Sequence, residues 1–186
     1  MRASWASMNP GQPFPIKTSD WPERDLVRVQ ASVIHGTGAF AKGPIPRGTR
    51  IIEYKGQRSR KEALLEAAER GERKLTYVLN LDEALAIDGA VEGNEARFLN
   101  HSCAPNCEVI IFDGVPYFYA LQDILEGAEL TFDYQLQSAT GHRLSRALSR
   151  QLFPCHCGAR GCRGTLVAPP PKAGSRRLVP DSPLQH

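Results

Sequence analysis

Eleven consecutive residues carry more chemistry than a hydrophobic core needs: Arg97-Phe98-Leu99-Asn100-His101-Ser102-Cys103-Ala104-Pro105-Asn106-Cys107. They gather a guanidinium, side-chain amides, an imidazole, a hydroxyl and two thiols, and Pro105 stiffens the path by fixing φ. A second stretch, Glu129-Leu130-Thr131-Phe132-Asp133-Tyr134, ends on a tyrosine. A third, Cys155-x-Cys157-x4-Cys162, spaces three thiols too tightly for an ordinary disulfide framework, and the total of five cysteines is odd. Thiols placed this way suit a metal ion in a reducing compartment. Zinc takes four tetrahedral thiolate or imidazole ligands, so one is still to be found among Cys103, Cys107 and His156. A detached knuckle completed by one of the latter two would read as a nucleic-acid module.

Short extended segments must position these groups. Residues 26–31 alternate apolar and polar, the period of a half-buried strand. They run into Ser32 to Ala41, where Gly36 and Gly38 flank Thr37 and allow a tight turn and close approach to a ligand. Thr49 to Tyr54 reads as a second strand, after a Gly43-Pro44-Ile45-Pro46-Arg47-Gly48 turn. Ser59-Arg60-Lys61-Glu62 has the form of a capping box. It predicts a helix over Glu62 to Arg70 that Gly71 ends, a scaffold without chemistry of its own. Thr76–Leu81 and Leu85–Asp88 read as one hairpin. Glu108–Phe112 and Val115–Leu121 read as another, closed by Asp113-Gly114, which suits a type I′ turn. Leu144, Ala147, Leu148 and Leu152 fall at helical spacing and predict a short connecting helix within 138–152. The outcome is a mainly β fold with few short helices.

At 186 residues the chain suits one catalytic unit with extensions. Residues 1–24, with five prolines or glycines and the potential anchors Trp5 and Trp21, read as an extended arm. The Pro169-Pro170-Pro171 run opens a flexible basic tail over 168–186. No apolar run approaches membrane-spanning length and the first residues lack the apolar stretch of a secretory signal, so the reading is a soluble intracellular protein without a membrane partner. The net charge of +3 hides a strong segregation: eleven acids and one arginine lie between Asp82 and Asp133, and no acid lies between Gln135 and Pro180. The acidic region suits steering of a basic polypeptide, and the basic C-terminal region suits nucleic-acid contact; solvated surface is the plainer reading of both.

Together the first two stretches resemble the signature of SET-domain protein lysine methyltransferases, and Cys155 to Gly164 resembles the post-SET zinc module. The resemblance covers roughly Val27 to Leu166. It implies a SET fold of several small β-sheets with a knot-like C-terminal crossing, a catalytic domain over 25–137 and a post-SET zinc segment over 153–167. It implies S-adenosylmethionine as cofactor, contacted by His35, Gly36, Thr37, Gly38, Tyr77, Arg97, Phe98, Asn100 and His101, with Asn100 and His101 at the adenine end. It assigns Cys103 as the fourth zinc ligand beside Cys155, Cys157 and Cys162, clamping the C-terminal segment over the site. Tyr134 becomes the principal catalytic residue, with Tyr54 and Tyr77 lining the lysine channel. Phe132, where the family alternatively has Tyr, implies room for more than one methyl group. The implied activity is methyl transfer to lysines of a basic protein: a histone, a histone-like or a ribosomal protein. No cysteine-rich pre-SET module precedes residue 25, so the chromatin assignment of members that carry one does not transfer. Few lysines in the second half give a bacterial look, and the location reads as cytoplasmic in a bacterium or nuclear in a eukaryote. The rivals are a catalytically silent, zinc-dependent peptide- or nucleic-acid-binding module and a structural zinc protein.

Overall fold

The computed structural model describes residues 24–137 and 144–169. The arm expected over 1–24 and the tail expected over 168–186 therefore lie almost wholly outside the described residues, as does the first part of the connector.

Strand β1 (Val27–Ala31) pairs antiparallel with β2 (Thr37–Ala41). Only Val27 of β1 is buried, whereas β2 from Gly38 onward is internal, so the half-buried character expected of the first strand resides in its partner. Strand β3 (Arg50–Glu53) lies beside β9 (Val115–Ala120), which also pairs with β8 (Cys107–Phe112) to give the order β3-β9-β8. The β8–β9 hairpin closes as expected: Asp113 and Gly114 have φ of 51° and 73°, the left-handed pair that matches the strand twist. A third sheet has the order β4-β6-β5, from β4 (Gln57–Arg60), β5 (Val78–Asn80) and β6 (Leu85–Asp88).

Helix α1 (Lys61–Glu69) follows β4, but the capping box does not form. Ser59 pairs opposite Ala86 in the β4–β6 ladder, which places it one residue before the cap. Arg60 caps instead, without a side-chain bond, and the Lys61 N–H donates to the Ala84 carbonyl across the sheet. Tyr77, expected in a strand, ends a 3-10 turn over Leu75–Tyr77 that leads into β5. Helix α2 (Arg146–Leu152) realises the connector as a shorter element, its first turn capped by Ser145 Oγ, which accepts from Leu148 N–H at 3.2 Å.

The core joins the sheets through Ile45, Ile51, Ile87, Leu99, Phe118, Ile124 and Leu130, all buried. Two short strands cross inside it. Strand β7 (Asn100–His101) and β10 (Thr131–Phe132) pair in parallel, so the two chemistry-bearing stretches run side by side. Among the described residues no helix is long and apolar enough to cross a membrane.

Candidate active site

The β7–β10 crossing is held at one end by a side chain that makes backbone-like bonds and at the other by the backbone itself. Asn106 Oδ1 accepts from Thr131 N–H and Asn106 Nδ2 donates to the Glu129 carbonyl, both at 2.8 Å. Downstream, Ser102 N–H donates to the Phe132 carbonyl at 3.1 Å. Asparagine does here what a third strand would do: it satisfies peptide groups that burial would otherwise leave unpaired.

Tyr134 emerges from this crossing. Its hydroxyl donates to the Leu99 carbonyl at 3.0 Å and its N–H to His101 Nδ1 at 3.1 Å. Its ring stands 4.8 Å from that of Phe132 and 5.3 Å from His101. Phe132 packs edge-on against Phe118, which in turn meets Tyr54. The Tyr54 hydroxyl donates to the Tyr77 carbonyl at 2.6 Å, and the Gly89 N–H donates to the same carbonyl at 2.8 Å. Tyr77 stacks edge-on with Phe98, and the Arg97 guanidinium lies over both rings at 5.8 and 4.7 Å. The structure thus brings Tyr54, Tyr77, Phe98, Phe132 and Tyr134 into one aromatic wall. Burial pushes the hydroxyls of Tyr54 and Tyr134 well above the usual tyrosine range, and neighbouring tyrosines add to it.

The loop between β1 and β2 is tied to this crossing from below. Asn100 Nδ2 donates to the carbonyls of His35 and Thr37 at 3.2 and 3.1 Å, and to Glu129 Oε1 at 2.8 Å. The same carboxylate oxygen accepts from Ser32 Oγ at 2.7 Å, and Ser32 Oγ in turn accepts from Ile34 N–H at 2.9 Å. A Cβ on Gly38 would sit 2.4 Å from Glu129 Oε1, so the close approach that this glycine permits is to the carboxylate. Side chains of His35 and Thr37 remain exposed at the rim. The sequence assigns no role to Glu129, Asn106, Ser32 or Phe118. Glu129 and Asn106 lie inside the two motif stretches, which is their only signal; Ser32 and Phe118 look like ordinary polar and core residues until the chain folds.

Below Tyr134 the three clustered cysteines meet Cys103. The sulfurs of Cys103, Cys155, Cys157 and Cys162 all lie within 4.8 Å of one another, with Cys103 Sγ 3.8 Å from Cys155 Sγ and 4.0 Å from Cys162 Sγ. Four thiolates about 2.3 Å from a tetrahedral zinc would stand about 3.8 Å apart. Backbone N–H groups point at the sulfurs: Cys103 N–H to Cys157, Arg163 N–H to Cys103 and Gly164 N–H to Cys162, at 3.3–3.4 Å. Burial raises the thiols of Cys103 and Cys155, while Cys157, despite its burial, is held down to about 6 by N–H donors and neighbouring thiols. Four thiols in one place resist ionising together, and a divalent cation removes that conflict; the donor set fits a metal. Cys107 stands apart, buried, its thiol pushed up to about 12 by desolvation, and His156 is exposed.

His101 joins the two halves. Its Nε2 lies 3.3 Å from Cys103 Sγ and its Nδ1 takes the Tyr134 amide, so both ring nitrogens are engaged within the chain. Burial lowers its pKa, which keeps Nδ1 free to accept. Asp133 forms a two-pronged ion pair with Arg163. Of the eleven acids between Asp82 and Asp133, eight are exposed; Asp88, Glu129 and Asp133 are internal and bonded. The acidic surface is real, but three of its members hold the fold.

Residues 36–135, more than half of the chain, match the sequence profile described as SET domain. This chain belongs to the SET-domain family. Its SET domain carries both motif stretches and every residue of the aromatic wall. Histone-lysine N-methyltransferase 2B of Homo sapiens is 38% identical over 147 residues, covering 75% of this chain and 5% of that protein. Histone-lysine N-methyltransferase, H3 lysine-4 specific, of Chaetomium globosum is 36% identical over 148 residues, 75% of this chain and 13% of that protein. Histone-lysine N-methyltransferase trithorax of Drosophila melanogaster is 34% identical over 147 residues, covering 75% and 4%. The chain therefore spans only a small fraction of these curated relatives' lengths.

Proposed function

We propose that this SET domain is a zinc-containing protein lysine methyltransferase that uses S-adenosylmethionine and acts on a basic protein. The observation that carries the reading is the pair of tyrosine hydroxyls in the aromatic wall, each with its proton committed to a backbone carbonyl: Tyr134 to Leu99, at the junction of the two motif stretches, and Tyr54 to Tyr77. S-adenosylmethionine supplies an electrophilic methyl group on a positively charged sulfur. The residues that would hold it are the His35–Gly38 loop, Tyr77, Arg97, Phe98, Asn100 and His101. Arg97 Nε supports the fit: it is a buried donor without a hydrogen-bond partner among the described residues, and a polar ligand can satisfy it.

A lysine side chain has a reference pKa of about 10.4 and attacks only as the neutral amine. An aromatic channel disfavours the ammonium by desolvation, so the amine sheds its proton to solvent on entry. Because the hydroxyl protons of Tyr134 and Tyr54 are spent on the Leu99 and Tyr77 carbonyls, their oxygens face an incoming amine as acceptors, which orients its lone pair. Both tyrosines stay neutral, so neither is the base. The bare ring of Phe132 beside Tyr134 leaves room that a hydroxyl would fill, in keeping with di- or trimethylation.

Zinc is the metal that four thiolates suit best, and such a site persists in a reducing, intracellular setting, cytoplasmic or nuclear. The names of the relatives point to a histone tail as the substrate class. Arg146, Arg150 and Arg160 are exposed near the cysteine cluster and would supply any nucleic-acid contact. The test is methyl transfer from labelled S-adenosylmethionine to a panel of histones, histone-like and ribosomal proteins, with products mapped by mass spectrometry and Phe132→Tyr run alongside. Modified lysines, with fewer methyls from the Phe132→Tyr protein, are expected. Cofactor binding without transfer to any protein would favour a silent binding module instead.

A further inference from the structure

The cysteine-held segment meets the rest of the chain through more than sulfur. Arg163, adjacent to Cys162, donates its backbone N–H to Cys103 Sγ, while its guanidinium grips Asp133 at 2.7 and 2.8 Å. Both side chains are about four-fifths buried, with 21% and 19% exposed. Asp133 directly precedes Tyr134, accepts from Gln135 N–H at 3.1 Å, and places Oδ1 3.5 Å from His101 Nδ1, the atom that receives the Tyr134 amide. The nearby backbone joins are few: Leu136 N–H to the Leu166 carbonyl and Ala168 N–H to the Leu136 carbonyl. Apart from the bond to Cys103, these ties reach the chain within two residues of Tyr134.

We propose that Arg163 is a positioning residue for Tyr134: through Asp133 it couples the seating of the cysteine-held segment to the backbone that aims the tyrosine. One guanidinium spans the two parts, so loosening either loosens both. A two-pronged pair fixes orientation as well as distance, which a single contact does not. The consequence for turnover rests on the methyltransferase reading; the consequence for metal retention does not.

The experiment compares zinc-loaded wild type with Arg163→Met, Asp133→Asn, the double variant and the charge-keeping Arg163→Lys. Two readouts are taken: the rate at which zinc passes to excess EDTA, and kcat and KM for methyl transfer. Outer-shell changes of this kind typically cost about 10–100-fold in metal affinity or activity. Each single variant is expected to bind one zinc, release it about tenfold faster or more, and lose a similar factor in kcat with KM for S-adenosylmethionine little changed. The double variant should be no worse than either single one, because both remove the same pair, and Arg163→Lys should lie between wild type and Arg163→Met. Unchanged zinc release in Arg163→Met, or losses that multiply in the double variant, would overturn the coupling. If wild type transfers no methyl group, the functional reading fails while the zinc-release comparison still decides the coupling. Should Arg163→Met not fold, the graded response of Arg163→Lys carries the same decision.

Discussion

The hydroxyl of Tyr134 donates to the backbone carbonyl of Leu99 at 3.0 Å. Leu99 is buried, with 1% exposure, so no water stands ready to replace that donor. Tyr134→Phe strands the carbonyl and, on the proposed mechanism, removes the acceptor oxygen offered to the lysine. Turnover should fall by about 100-fold or more, the scale of a lost positioned polar group at the reacting centre. Stability should fall by about 1–3 kcal/mol, the cost of an unsatisfied buried group. Steady-state kinetics and urea unfolding measure the two effects separately, and near-wild-type turnover would remove Tyr134 from the mechanism.

Alkaline behaviour follows from the same burial. Tyr54 and Tyr134 ionise in the folded protein above the ordinary value of about 10, principally because desolvation opposes the phenolate. The unfolded chain therefore gives up these protons first. Their contribution to stability is complete below about pH 10 and is lost as the pH rises toward the folded-state values. Urea midpoints taken from pH 8 upward should decline on the alkaline side, and less steeply in Tyr134→Phe. The pH–rate profile should show no limb from tyrosinate formation below about pH 10; such a limb would mean that a tyrosine titrates as a base.

Glu129 separates the geometry of the β1–β2 loop, proposed to hold the cofactor, from the tyrosines. Its Oε1 holds Ser32 and Asn100 together, and Asn100 in turn holds the carbonyls of His35 and Thr37. Hydrogen bonds to a charged group are worth about 1.5–3 kcal/mol, so Glu129→Ala should weaken S-adenosylmethionine binding by roughly tenfold or more, measured by calorimetry. Glu129→Gln keeps an acceptor for both donors and should lose less. Equal losses in the two variants would show that the packing of the side chain matters rather than its acceptor.

Metal removal should act on one end of the chain. Cys103 belongs to the crossing, whereas Cys155, Cys157 and Cys162 belong to the C-terminal segment, so the four sulfurs bridge two parts. Stripping the metal, or Cys157→Ala, should speed trypsin cleavage after Arg150, Arg160 and Arg163 by roughly tenfold or more, as local opening of the backbone there becomes easy. Cleavage after Arg50 should stay slow, since β3 is held there by its pairing with β9 and by the buried Ile51, neither of which depends on the metal. Uniform acceleration across the chain would mean that the metal supports the whole fold.

Much of this protein was legible before any coordinates. Strand positions came from β-branched and aromatic runs bounded by turn residues, the β8–β9 turn from Asp113-Gly114, and the family from two motif stretches whose residue types are rare in combination. These are local signals, set by backbone sterics and side-chain chemistry within a few residues. The failures were local choices decided elsewhere: Ser59 looked like a helix cap, but a ladder to Ala86, distant in sequence, claimed its backbone. Tertiary structure alone decided what each charged group is for. Nothing near Glu129 shows that it meets Ser32 and Asn100, and nothing near Arg163 shows that it pairs with Asp133 rather than solvent. Asn100 stands in the first motif, but only the fold shows that its Nδ2 holds the loop that carries His35 and Thr37. A side chain's type determines which bonds it can make; only the folded chain, by excluding water from some partners and bringing others within 3 Å, determines which of them it does make.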